Sequence, residues 1–139
     1  RNYILHDSEG DFWLFTEKTD NSCYARYSLT GRTLGDAISR SASAFLFCKF
    51  LCRDAEQSEV SAFIEDIVTA KRGQHIGTWM VNRLIGFLRQ AEGAVCMDRL
   101  YGDFQPDQGE VTEAFFKRFG FGFNVGQNNR QIVAPPWRT

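Results

Sequence analysis

Residues 60–78 read VSAFIEDIVTAKRGQHIGT, and their pattern changes period partway along. Val60 to Thr69 is rich in β-branched and aromatic side chains, which suit a pleated, half-buried strand. From Ile76 to Gln90 the apolar residues recur at helical spacing: Ile76, Met80, Leu84 and Leu88 form one stripe, with Val81 and Ile85 beside it. Glu92-Gly93 ends that helix. Between the two elements lies Lys71-Arg72-Gly73-Gln74-His75, a polar turn leading into a helix amino terminus. Such a turn exposes backbone N–H groups that the helix leaves unpaired. The helix dipole adds partial positive charge, which favours anions. Glycine lets a backbone approach a phosphate closely, and Lys71 and Arg72 suit a pyrophosphate. Gly73 and Gly77 serve equally well as residues that only shape the turn and let helix pack on sheet.

Working outward, Val95 to Tyr101 reads as the next strand. A strand–helix–strand unit over residues 60–101 predicts a right-handed crossover between parallel strands. A polar loop with Pro106 and Gly109 leads to a short helix, Glu110 to Phe119, stopped by Gly120. Phe121 to Val125 and Arg130 to Ala134 form a last strand pair around Gly-Gln-Asn-Asn, and Pro135-Pro136 ends regular structure. Upstream, Ala44 to Cys52 (AFLFCKFLC) is almost continuously apolar and reads as a buried strand. Thr33 and Asp36 have capping-box spacing, which predicts a helical turn or a loop before it. Earlier still, Asp11 to Glu17 and Cys23 to Leu29 read as strands, the second ended by a Thr30-Gly31-Arg32 turn. His6 and Asp7 are expected at the surface. The order of elements predicts a mixed α/β fold in a single domain spanning 1–139.

Composition narrows the function classes. With 16 basic and 17 acidic side chains, the formal charge is −1, which disfavours duplex nucleic acid as the main partner. No apolar run approaches the roughly 20 residues of a membrane-spanning helix, so no membrane partner is expected. Cys23, Cys48, Cys52 and Cys96 lack the spacing of zinc knuckles, and only His6 and His75 accompany them, so no metal is expected. The cysteines read as buried reduced thiols, and with no secretory signal pattern this predicts a cytoplasmic protein. The chain starts at Arg1 rather than Met, which leaves room for residues upstream. Thirteen phenylalanines predict an aromatic core.

The segment IEDIVTAKRGQHIGTWMV resembles the acyl-CoA-binding motif of the GNAT superfamily of N-acyltransferases, Arg/Gln-x-x-Gly-x-Gly/Ala after a strand. Arg72, Ile76 and Gly77 fit that pattern, and His75 stands where the first glycine is usual. A second segment, Glu113-Ala114-Phe115-Phe116-Lys117-Arg118-Phe119-Gly120-Phe121, resembles the later helix-to-strand signature of the same family, Ala-x-x-Phe-Tyr-x-x-x-Gly-Phe. The likeness spans residues 44–134. Residues 1–43 show no clear counterpart of the family's two early helices.

The resemblance implies a central mixed sheet that splays open between Val60–Thr69 and Val95–Tyr101, with two packed helices after the phosphate loop. It implies acetyl-CoA as the acyl donor. Backbone groups of Ile67, Val68 and Thr69 would pair with the pantetheine arm. Arg72, Gly73, Gln74, His75, Ile76, Gly77 and Thr78 would hold the pyrophosphate. The acceptor would be an amine on a small molecule, peptide or protein, and the chain a monomer or homodimer. Acyl transfer to an amine uses a base to deprotonate it and an acid to protonate the leaving thiolate. Glu65 stands where the family often has a glutamate, and is the candidate base. The family's usual acid is a tyrosine at the position of Phe116, which has no proton to give; Tyr101 at the end of a strand is the candidate substitute, and Cys96 or a water are the alternatives. A non-catalytic acyl-CoA-binding or interaction domain on the same fold is the alternative.

Overall fold

In a computed structural model of the chain, the described residues are 1–20, 26–34, 43–52, 59–69, 75–92, 96–104, 115–119, 122–125 and 130–134. The elements are β1 (Asn2–His6), β2 (Phe12–Asp20), β3 (Arg26–Thr33), β4 (Ser43–Cys52), β5 (Glu59–Thr69), α1 (Ile76–Glu92), β6 (Cys96–Phe104), β7 (Gly122–Val125) and β8 (Arg130–Ala134). Hydrogen-bonded neighbours in the sheet run β1-β2-β3-β4-β5-β6-β8-β7. Contacts group the chain into two compact units, Arg1–Lys49 with Asp66–Leu84, and Phe50–Glu65 with Ile85–Thr139.

In the first unit β1 to β4 pair antiparallel in sequence order. Strand alternation places Trp13, Phe15, Tyr27, Leu29, Leu46 and Cys48 on one face, and all six are fully buried. The first half of α1 lies on that face. Trp79 meets Phe15 with ring centroids 4.8 Å apart and Tyr3 edge-on at 5.5 Å. Met80, Val81 and Leu84 are buried completely, as their stripe predicts. Removing each large apolar side chain from water stabilises the fold by roughly 1.5–3 kcal/mol.

In the second unit β5 and β6 are parallel, from Glu59↔Cys96 to Ile64↔Gly102, as the crossover requires. β8 pairs antiparallel with both β6 and β7. Ile85 and Leu88 continue the buried stripe of α1. Residues 115–117 are helical, and Phe119 N–H donates to the Phe116 carbonyl at 3.0 Å. The rest of the expected helix, 110–114, and the expected helical turn at 35–42 lie outside the described residues.

Three local expectations are corrected. Thr30-Gly31-Arg32 is not a turn but part of β3, paired on both sides. Gly31 is there for space: a Cβ at that position would collide with the Phe15 ring, which crosses over it from β2. Thr33 is the buried last residue of β3 rather than a helix cap. Asp7 is buried, not a surface residue, because its carboxylate organises the β1–β2 turn. Oδ1 accepts from the N–H groups of Glu9 (2.9 Å) and Asp11 (3.0 Å), and Oδ2 accepts from the Trp13 indole at 2.9 Å. The sequence reading also missed β1, a short edge strand held to β2 from Asn2↔Thr16 to His6↔Phe12.

Candidate functional site

The chain leaves β5 at Thr69 and enters α1 at Ile76. Arg72, Gly73 and Gln74 fall at 70–74, outside the described residues. His75 is described, and its φ is +61°. An L residue with a Cβ is disfavoured in that left-handed region, and glycine is not. This turn therefore has the backbone that a glycine position provides, although a histidine occupies it. The His75 side chain is exposed, and its carbonyl accepts the first helical hydrogen bond, from Trp79 N–H at 3.0 Å. The N–H groups of the first turn, at Ile76, Gly77 and Thr78, have no acceptor within the helix. No acidic side chain stands in that turn. Buried Ile76 anchors it to the core, while Gly77 and Thr78 remain half-buried. Donors that the helix itself leaves unbonded, the positive end of a helix dipole and the lack of an acidic side chain in the turn make this terminus suited to an anion.

β5 supplies the second feature. Among the described residues its ladder to β6 ends at Ile64↔Gly102, yet β5 continues to Thr69. Burial changes at the same point: Ala62 and Ile64 are buried, whereas Glu65 and Asp66 are both exposed and Val68 is 39% exposed. Neighbouring strand residues point to opposite faces, so both carboxylates reach solvent and exposure does not select between them. Tyr101 lies in β6, opposite Phe63 on one side and Val133 on the other; its side chain is outside the described part. Phe116 is 3% exposed, with Phe115 edge-on at 5.0 Å. Lys117 and Arg118 are on an exposed face, the Arg118 guanidinium lying over the Phe115 ring.

One polar cluster was missed by sequence reading. Glu17 of β2 accepts hydrogen bonds from Tyr27 Oη (2.5 Å), Arg83 Nε (2.8 Å) and Tyr3 Oη (3.3 Å). The Arg83 guanidinium also stacks over the Tyr3 ring, 5.1 Å from its centroid. Burial alone would raise the Glu17 pKa, but the bonds from Arg83 and Tyr27 outweigh it and hold the carboxyl below its ordinary 4.5. Burial and the adjacent carboxylate push the Tyr27 phenol well up. With its lone pairs engaged, Glu17 is a fastener rather than a base: it ties α1 to β2 and β3, two turns from the His75 end. No local pattern marks the cluster, because Glu17 and Arg83 are 66 residues apart.

Among the described residues no group of three or more His, Cys, Asp or Glu side chains could hold a metal. No described helix is long and apolar enough to cross a membrane.

No protein-family model matches the chain, and no curated protein matches it. Solved structures do. A KacTA–DNA complex superposes with a TM-score of 0.59 at 22% identity, over 85% of this chain and 71% of that one. Arabidopsis thaliana Naa50, in complex with the bisubstrate analogue CoA-Ac-MVNAL, gives 0.55 at 17% identity, over 75% and 70%. A mutant AtaT toxin, bound to the C-terminus of the antitoxin AtaR and to acetyl-CoA, gives 0.56 at 20% identity, over 82% and 68%.

Proposed function

Starting from the GNAT acyltransferase fold, which this chain has, we propose that it is an acyl-CoA-dependent N-acyltransferase with acetyl-CoA as donor and an amine as acceptor. The start of α1 carries that reading: a left-handed residue at the motif's glycine position, followed by a first turn whose N–H groups have no acceptor within the helix and which holds no carboxylate. In this proposal the pyrophosphate sits on the amides of Gln74 to Thr78, with Arg72 and Gly73 completing the loop. The pantetheine amides pair with the backbone of Ile67, Val68 and Thr69, where β5 runs on past its last rung with β6. Glu65, exposed on β5, takes a proton from the acceptor ammonium through water. The amine nitrogen then bonds to the thioester carbonyl carbon, the carbon–sulfur bond breaks, and Tyr101 protonates the thiolate. CoA-Ac-MVNAL on Naa50 and the antitoxin on AtaT support a peptide or protein as acceptor or partner. The KacTA–DNA complex leaves the expectation of no nucleic-acid partner without support. We assign the chain to the cytoplasm, as a monomer or homodimer.

Buried Phe116, which offers no proton at the position of the family's acid, favours a second reading: an acyl-CoA-binding domain without turnover. Calorimetric titration with acetyl-CoA and with CoA, then thiol release with amine acceptors, separates the two. Binding with turnover supports the enzyme, and binding without turnover supports the second reading. Gly77→Asp adds bulk and negative charge at the phosphate position and is expected to abolish binding in a folded protein. Absence of binding by the parent chain at millimolar acetyl-CoA would overturn both.

A further inference from the structure

The face of β1 to β4 turned away from α1 has an unusual composition. Register and alternation place Ile4, Phe12, Leu14 and Leu34 together near the β1–β2 turn. Ile4 is 68% exposed, Phe12 52% and Leu34 51%. Toward the other end, the same face carries Lys18, Arg26 and Lys49, and Arg32 lies beside Leu14. Among the described residues of these four strands, Asp20 is the one acid on that face, directly opposite Arg26. The face is therefore positive on a chain whose total charge is −1. Phe12 and Lys18 are six residues apart on one strand, about 20 Å at 3.3 Å per residue.

We infer that this face docks an acidic amphipathic segment of a partner protein, its apolar side chains on Ile4, Phe12 and Leu34 and its carboxylates on Lys18, Arg26 and Arg32. The charge pattern selects that occupant. A second copy of the same face would set cations against cations, which disfavours a symmetric dimer. Single-stranded nucleic acid needs open aromatic platforms. Here Phe45 and Phe47 are half-buried and stacked on each other at 5.0 Å, Phe12 leans on His6 at 4.9 Å, and among the described residues the most exposed large apolar one is aliphatic Ile4. A helix of about 14 residues spans the 20 Å from apolar to cationic end. The inference rests on the sheet and not on acyl transfer.

The test uses a fluorescein-labelled helical peptide of about 14 residues, whose sheet-facing side carries leucine in one half and glutamate in the other, and its glutamine counterpart. Fluorescence anisotropy on the full chain should show the glutamate peptide binding at least about tenfold tighter, with affinity falling as salt rises. Lys18→Glu with Arg32→Glu should weaken it about tenfold or more, and Ile4→Ser with Leu34→Ser should also weaken it. All four positions are exposed, so the melting temperatures should stay near the parent's. Equal binding of the two peptides, or unchanged binding by the charge-reversed variant, would overturn the inference. So would tighter binding of a single-stranded oligo-dT or oligo-U, or a dimer of the free chain that Ile4→Asp dissolves.

Discussion

His75 offers the most direct test of how the backbone enters α1. Its φ of +61° places a Cβ-bearing residue in the left-handed region, at a cost of roughly 1–2 kcal/mol. Histidine visits that region more readily than most residues, so about 1 kcal/mol is the reasonable figure. His75→Gly removes the strain but adds glycine's extra unfolded-state entropy, about 0.5–1 kcal/mol, so the net gain is about 0–0.5 kcal/mol. His75→Val puts a stiff β-branched side chain into the same backbone and should lose about another 1 kcal/mol. The glycine variant should then exceed the valine variant by about 1–1.5 kcal/mol, or about 3–5 °C in melting temperature for a chain of this size. Thermal unfolding followed by circular dichroism, with urea titration as a check, measures that order. The sign is decisive, because with an ordinary negative φ the valine variant would be the more stable through its smaller unfolded-state entropy. A valine variant as stable as the glycine variant would falsify the left-handed entry.

Three further outcomes follow from named contacts. Asp7→Ala should cost about 2–4 kcal/mol by urea denaturation, because two turn N–H groups and the Trp13 indole lose their acceptor; a change below the error of the titration would refute the turn assignment. Gly31→Ala should cost about 1–3 kcal/mol through collision with the Phe15 ring, and Phe15→Leu in the same chain should recover part of it; an alanine variant as stable as the parent would count against the close approach. Glu17 has a lowered pKa, so it contributes stability that is present above its ordinary 4.5 and is lost as the pH falls through the lowered value. Parent and Glu17→Gln should therefore differ by a constant amount at neutral pH and converge in acid, read from melting temperature against pH; a gap that persists to the acid end would refute the depressed carboxyl.

Local periodicity made part of this protein legible before any coordinates. The stripe Ile76, Met80, Leu84 and Leu88 specifies both α1 and its buried face, because a helix keeps neighbours four residues apart together. The β-branched run before it specifies β5, and the connection between β5 and β6 forces them to be parallel. The phosphate-loop candidate follows from that order of elements alone. The early strands were harder, because Phe12-Trp13-Leu14-Phe15 has large apolar residues on both faces, and no alternation tells the core side from the open side. Only the pairing of β1 to β4 and the seat of α1 bury Trp13 and Phe15 and leave Phe12 exposed. Gly31 looks like turn chemistry until an aromatic ring from the neighbouring strand is seen to need its missing Cβ. Asp7 and the Glu17–Arg83 pair lie in the same category. Their partners converge only when the chain folds back on itself, so their roles are set by tertiary contact and leave no mark on local sequence.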